Sequence, residues 1–175
     1  MTHGRAHHLR QLRAAVAALV VALLMVGAPS PAIAAQTKDP AVPKESGTGK
    51  RIVYDRSRQR VWLVREDRTV RATYLVSGHK YGTLPAVGRY RVQSKSRYTQ
   101  SLDGAVSMEF MVRFVYGNTR WIGFHSIPVD GNGNLIQSLS QLGTPTSSGC
   151  IRQRWRNART LYDFAHVGTR VVVRA

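Results

Sequence analysis

From Ile52 onward, short runs rich in Val, Ile, Trp, Tyr and Phe alternate with clusters of Asp, Arg, Gly and Pro. That spacing is too short for helices and suits strands joined by tight turns. Ile52–Tyr54, Arg60–Arg65 and Thr69–Ser77 read as three strands. Asp55-Arg56-Ser57-Arg58 and Glu66-Asp67-Arg68 supply the turns between them, which predicts an antiparallel meander. Gly78 to Gly88 reads as a loop, followed by a strand over Arg89–Gln93 and another over Met108–Val115. Alternation within the second puts Met108, Phe110, Val112 and Phe114 on one face. After a turn at Tyr116-Gly117-Asn118-Thr119, Trp121–Phe124 is a short apolar strand that ends on His125. Residues 126–149 form a long connection, a length that in compact domains usually carries function. Arg154–His166 places Trp155, Ala158, Leu161, Tyr162 and Ala165 at helical spacing, with Gly168 as the stop, and Val171–Val173 closes as a strand. The expected class is mostly β with one or two short helices, the main one after Cys150.

The first 34 residues read differently. Arg5, Arg10 and Arg13 precede an apolar run from Ala14 to Ala28, Pro29-Ser30-Pro31 interrupts it, and Ala32-Ile33-Ala34 has the small-x-small form of a cleavage site. This order predicts a Sec-type signal peptide over 1–34. The run is short for the roughly 20 residues that span a bilayer, so no stable membrane span is expected after cleavage; an uncleaved anchor is the alternative. Residues 35–50, with two prolines and two glycines, read as a flexible linker, leaving 51–175 as the domain. The chain carries a formal charge of +17, and loss of the three early arginines leaves +14. Such a charge favours polyanions. In an exported protein these are anionic wall polymers and not nucleic acid; a basic surface with no specific ligand is the plain alternative.

Cys150 is the only cysteine. It cannot form a disulfide within the chain, so it is either a small buried hydrophobe or a reactive thiol. A reactive thiol needs a base or a positive neighbour, since only the thiolate is strongly nucleophilic. His125, at a strand end before a long loop, is the candidate base. His166 falls on the helix, where packing or surface exposure accounts for it, and His79, in a Gly-rich loop, is a candidate substrate contact. Gly149 permits a tight turn ahead of Cys150 that can aim N–H groups at an oxyanion. Arg152 offers a donor fork suited to a carboxylate, or else is one more solvated charge. One Cys and scattered His lack the paired spacing of a zinc site, so no metal and no cofactor is expected.

Phe124-His125-Ser126, a long loop and then Ser147-Ser148-Gly149-Cys150-Ile151-Arg152 resembles the L,D-transpeptidase catalytic domain, the YkuD family. Val76-Ser77-Gly78, followed by Thr83, Pro85 and Gly88-Arg89-Tyr90, resembles its substrate-facing loop and the strand after it. The resemblance implies a β-sandwich or barrel and a two-step acyl transfer on peptidoglycan stem peptides. Cys150 would be the nucleophile and His125 the base. Ser126 would orient His125 through its carbonyl, and Gly149 with Cys150 would form the oxyanion hole. Ser148 stands where the family has His, an orienting position; Arg152 stands where the family has Asn or Arg. Tyr81 and Thr83 would face substrate together with Arg152. The implied product is a 3→3 cross-link. Water as acceptor would make the chain an L,D-carboxypeptidase, and a non-catalytic wall-binding module is a further reading. A wall hydrolase of another cysteine class usually places Cys before His, the reverse of the order here.

Overall fold

The protein is described from a computed structural model over residues 39–175. The signal-peptide reading of 1–34 lies outside the described residues. Strands β1 (Arg51–Asp55), β2 (Arg60–Val64) and β3 (Val70–Leu75) form the expected antiparallel meander. β4 (Gly88–Arg91), β5 (Ser94–Gln100), β6 (Ser107–Tyr116) and β7 (Trp121–Ser126) follow. A 3-10 turn at Leu139–Gln141 interrupts the long connection to β8 (Ile151–Gln153); α1 (Trp155–Phe164) and β9 (Arg170–Arg174) complete the chain.

The strands form two sheets, one ordered β3-β2-β1-β9-β4 and the other β5-β6-β7-β8. The first buries Ile52, Tyr54, Val61, Leu63, Val171 and Val173 against Val112, Phe114, Ile122, Phe124 and Ile151 of the second. Each such side chain contributes about 1.5–3 kcal/mol on leaving water. Phe114 stacks on Phe124 at 5.0 Å, and Tyr54 meets Phe124 edge-on at 6.3 Å. Helix α1 adds Ala165 at its end, with Leu161 and Phe164, to the same core. Lys95 of β5 donates to the Tyr162 and Ala165 carbonyls at 2.6 Å each, a cation at the negative end of the helix. No helix among the described residues is long and apolar enough to cross a membrane.

Three sequence expectations change. Within the segment read as a linker, Ser46 and Gly49 are buried and Val42 is half-buried, while Lys44, Glu45, Gly47 and Thr48 are exposed. Every residue of β1 is buried, as befits a central strand flanked by a parallel neighbour, so the outer face of its sheet also needs cover. Val42 packs on Val53, Trp62, Val64 and Val172, and the Trp62 indole donates to the Pro40 carbonyl at 2.8 Å. Arg51 holds the same segment through Ser46 Oγ at 3.1 Å and the Gly49 carbonyl at 2.8 Å.

Strand β5 was not expected, because Ser94-Lys95-Ser96-Arg97-Tyr98-Thr99-Gln100 shows no apolar alternation. Its pairing comes from β6, and its charges suit a sheet edge. The third change concerns β6, whose predicted single apolar face is divided. Phe110 has φ of 59°, left-handed for a bulky residue, which breaks the alternation. Val112 and Phe114 enter the sandwich core, whereas Phe110 turns to Trp155 and Tyr162 of α1 at 5.1 and 5.6 Å.

Candidate active site

β7 and β8 run side by side in parallel, pairing Phe124 with Ile151, His125 with Arg152 and Ser126 with Gln153. Paired residues share a face, and residues two apart share it too. Phe124 and Ile151 therefore point into the core, and His125 and Arg152 point away from it. Continued one residue back, this register sets Cys150 beside Gly123, about 7 Å along the strand from the His125 level. The thiol and the imidazole, 25 residues apart in sequence, thus lie on one face of neighbouring strands.

His125 is buried, and its Nδ1–H donates to the Ser126 carbonyl at 2.6 Å. That bond selects the tautomer in which Nε2 carries the lone pair. Ser126 is fixed in turn, because its Oγ accepts the Glu109 N–H at 2.9 Å. Burial pushes the imidazole pKa down to about 4, the Ser126 bond opposes this, and Arg152 and Arg113 push it down further. The ring is therefore neutral near pH 7 and available as a proton acceptor.

Cys150 is partly exposed, and its thiol donates to the Trp121 carbonyl at 3.7 Å. No hydrogen bond joins the thiol to His125 among the described residues. Burial raises the thiol pKa, while the Gly123 backbone N–H and then Arg120, Arg152 and Arg113 pull it back. The resting pair is a neutral thiol beside a neutral imidazole, not an ion pair.

The remaining sequence candidates divide. Arg152 is half-buried; its N–H and carbonyl both pair with Ser77, and its Nη1 donates to Gln137 Oε1 at 3.3 Å. Gly149, at φ of 151°, makes the turn as expected, but its N–H donates to Ser147 Oγ at 3.1 Å. That bond turns the Gly149 N–H into the loop. Ser148 is exposed. Its buried neighbour Ser147 donates to the Cys150 carbonyl and accepts from the Gly149 N–H. The side chain facing inward here is set by the turn, and the motif alone did not say which serine it would be.

Tyr81 and Thr83 lie on a loop tied to the Cys150 turn, where Lys80 N–H donates to the Ser147 carbonyl at 2.9 Å and Ser147 N–H to the Gly78 carbonyl at 2.8 Å. Tyr81 is 72% exposed and stands edge-on to His79. Thr83 is exposed, and its hydroxyl is engaged with His79 Nδ1 at 3.0 Å. Gln137 was missed by sequence reasoning. It is buried, donates to Ser77 Oγ at 2.7 Å and accepts from Thr146 Oγ1 at 2.9 Å. It locks the long connection to the segment just after β3, and no local pattern marks it. A cavity of about 820 Å³ opens on the other side of Ser126, lined by Tyr98, Met108, Glu109, Ile127 and Trp155; neither Cys150 nor His125 lines it.

A family model for the L,D-transpeptidase catalytic domain matches residues 49–173. The chain belongs to this family. No curated protein matches it. Among solved structures, an L,D-transpeptidase from Mycobacterium tuberculosis H37Rv is 20% identical with a TM-score of 0.59, over 74% of this chain and 59% of that one. L,D-transpeptidase 3 from Mycobacterium tuberculosis, solved with a faropenem-derived adduct, is 19% identical with a TM-score of 0.57, over 74% and 61%. An L,D-transpeptidase from Mycobacterium smegmatis is 20% identical with a TM-score of 0.58, over 74% and 60%. The aligned part spans about three fifths of those proteins, and at these identities the likeness is one of fold. The mostly-β expectation agrees with the two sheets and single helix described for this L,D-transpeptidase domain.

The His125 environment has a measurable consequence for stability. The unfolded imidazole takes a proton near its ordinary 6.5, whereas the folded one resists until about 4. Stability from this residue is complete above pH 6.5, falls as pH drops through that interval, and levels off below about 4. The expected loss is about 3 kcal/mol. Urea denaturation across that range should show the parent chain losing about that much more than His125→Gln. Equal losses would refute a buried neutral imidazole.

Proposed function

We propose that this chain is an exported L,D-transpeptidase of the bacterial wall, acting on peptidoglycan stem peptides with Cys150 as nucleophile and His125 as base. One observation carries the reading: the Ser126 carbonyl holds His125 in the tautomer with a free Nε2 lone pair, on the same face as the only thiol. In the first step the thiol leaves the Trp121 carbonyl and passes its proton to Nε2. The sulfur attacks the carbonyl carbon of the L,D bond after the third stem residue. The Cys150 N–H and nearby guanidinium charge stabilise the oxyanion. Collapse breaks the C–N bond, the imidazolium protonates the departing D-alanine amine, and a thioester remains. An amine of a second stem then loses a proton to His125, attacks the thioester and expels the sulfur, giving a 3→3 cross-link. Water in its place gives the carboxypeptidase product. The charge of +14 after signal removal suits a wall that also holds anionic polymers.

A second reading, a wall-binding module without chemistry, draws on the raised thiol pKa and the missing thiol–imidazole hydrogen bond. Intact-mass spectrometry after exposure to a carbapenem separates the two. The transpeptidase acquires one covalent adduct, mapped to Cys150. A protein that stays unmodified while still binding wall fragments is the module.

A further inference from the structure

Gln137 sits midway along the connection from His125 to Cys150, and it is buried. Its amide joins three other segments. Nε2 donates to Ser77 Oγ at 2.7 Å, just past β3. Oε1 accepts from Thr146 Oγ1 at 2.9 Å and from Arg152 Nη1 at 3.3 Å. Thr146 and Arg152 flank the turn that carries Cys150, one on each side. A single oxygen thus ties the two ends of that turn together. The backbone is fastened along the same lines. The Gly78 carbonyl accepts the Thr146 and Ser147 N–H groups at 3.0 and 2.8 Å, and Ser77 exchanges two bonds with Arg152 at 2.8 and 2.9 Å.

The neighbours fix which way the amide points. Ser77 Oγ gives its own proton to the Gln141 carbonyl at 3.1 Å, so it can only accept from Gln137. The nitrogen of Gln137 therefore faces Ser77, and the oxygen faces two donors, Thr146 and Arg152. A buried amide engaged at both ends cannot turn over, and the Cys150 turn cannot shift without leaving a donor unpaired. We propose that Gln137 is a positioning residue for acylation: its side-chain oxygen, by holding Thr146 and Arg152, fixes where the Cys150 sulfur stands. The reaction served is that of the transpeptidase reading, on which this inference rests. Loss of such positioning falls chiefly on the rate at saturation and not on affinity.

Three variants of the full chain test it. Gln137→Met keeps the length and loses every bond, Gln137→Glu keeps acceptor oxygens and loses the donor, and Thr146→Val removes one bond from the turn side. Thermal melts establish which are folded at the assay temperature; Thr146→Val, at a half-buried loop position, decides the matter if Gln137→Met does not fold. Iodoacetamide reads how freely the thiol meets solvent, and it should alkylate Gln137→Met and Thr146→Val about threefold faster than the parent. A carbapenem needs an aligned sulfur. Its acylation rate at saturation should fall about tenfold in Gln137→Met, with the half-saturating concentration within about twofold of the parent. Thr146→Val should show a smaller fall. Gln137→Glu should bring both rates to within about threefold of the parent, a rescue that a space-filling role does not give, since Met fills the space as well. Alkylation rates unchanged in the folded Met and Val variants would overturn the proposal. So would a carbapenem rate unchanged in them, or a Glu variant as impaired as Gln137→Met. A parent chain that iodoacetamide alkylates and the carbapenem leaves unmodified refutes the transpeptidase reading alone, and the alkylation series still decides whether Gln137 places the sulfur.

Discussion

Cys150→Ala is expected to reduce cross-linking of a tetrapeptide donor by at least about a thousandfold, because no other side chain of the chain can form the thioester. Cys150 is the only cysteine, and its sulfur is partly exposed. Its bond to the Trp121 carbonyl is a long one, at 3.7 Å. Truncation removes a single atom from the edge of the site, so stability should change by no more than about 1 kcal/mol. The contrast with His125 is useful. His125 is buried and bonded, so its removal would mix a catalytic loss with a structural one. Mass spectrometry of the products, beside a thermal melt, separates the two effects at Cys150. Retention of more than a tenth of the parent turnover in a folded Cys150→Ala protein would reject this residue as the nucleophile.

Gly123→Ala should damage both the fold and the site. A Cβ at this position would lie 2.4 Å from the Val112 carbonyl oxygen, 2.9 Å from its carbon and 3.0 Å from the Arg113 Cα. All three are backbone atoms, so no side chain can swing aside. β6 cannot retreat either, because β5 is paired along its other edge. The expected cost is about 3 kcal/mol. Activity should fall further than stability, since the Gly123 N–H lies against the sulfur and Gly123 precedes Phe124-His125 on the same strand. Gly131→Ala is the control: a Cβ there meets nothing within 4 Å, and the change should stay within about 0.5 kcal/mol. Denaturant unfolding of the two variants measures the difference, and equal midpoints would show that β6 and β7 are not packed as closely as described.

Much of the fold was legible because its signals are local. Val61-Trp62-Leu63-Val64 is a β-rich run wherever it occurs, and the turn residues before and after it limit its length. The spacing of Ala158, Leu161 and Ala165 marks one buried helical face, and α1 buries Ala158 and Leu161 on it. β5 lacked such a signal: nothing in Ser94–Gln100 is apolar enough to demand burial, and its order is lent by β6. The Phe110 reversal was equally hidden, since alternation assumes extended φ at every position. Trp62 and Val64 pack with Val53 and Val172 on the outer face of the sheet, where Val42, from the segment read as a linker, covers them.

The candidate site divides along the same line. By itself the sequence supplied a lone thiol, a histidine closing an apolar strand, a glycine that allows the turn between Ser148 and Cys150, and the order in which these appear. Each of these is a property of residue type or of near neighbours. Tertiary structure decided the rest. It laid β8 parallel to β7, so that residues 25 apart in sequence came to neighbouring strands of one sheet. It also turned Ser147 inward and Ser148 outward, and tied Gln137 to Ser77 and Thr146. Those outcomes depend on which strand lies beside which. That choice is made by burial of the whole sandwich core, to which no single stretch of chain holds the key.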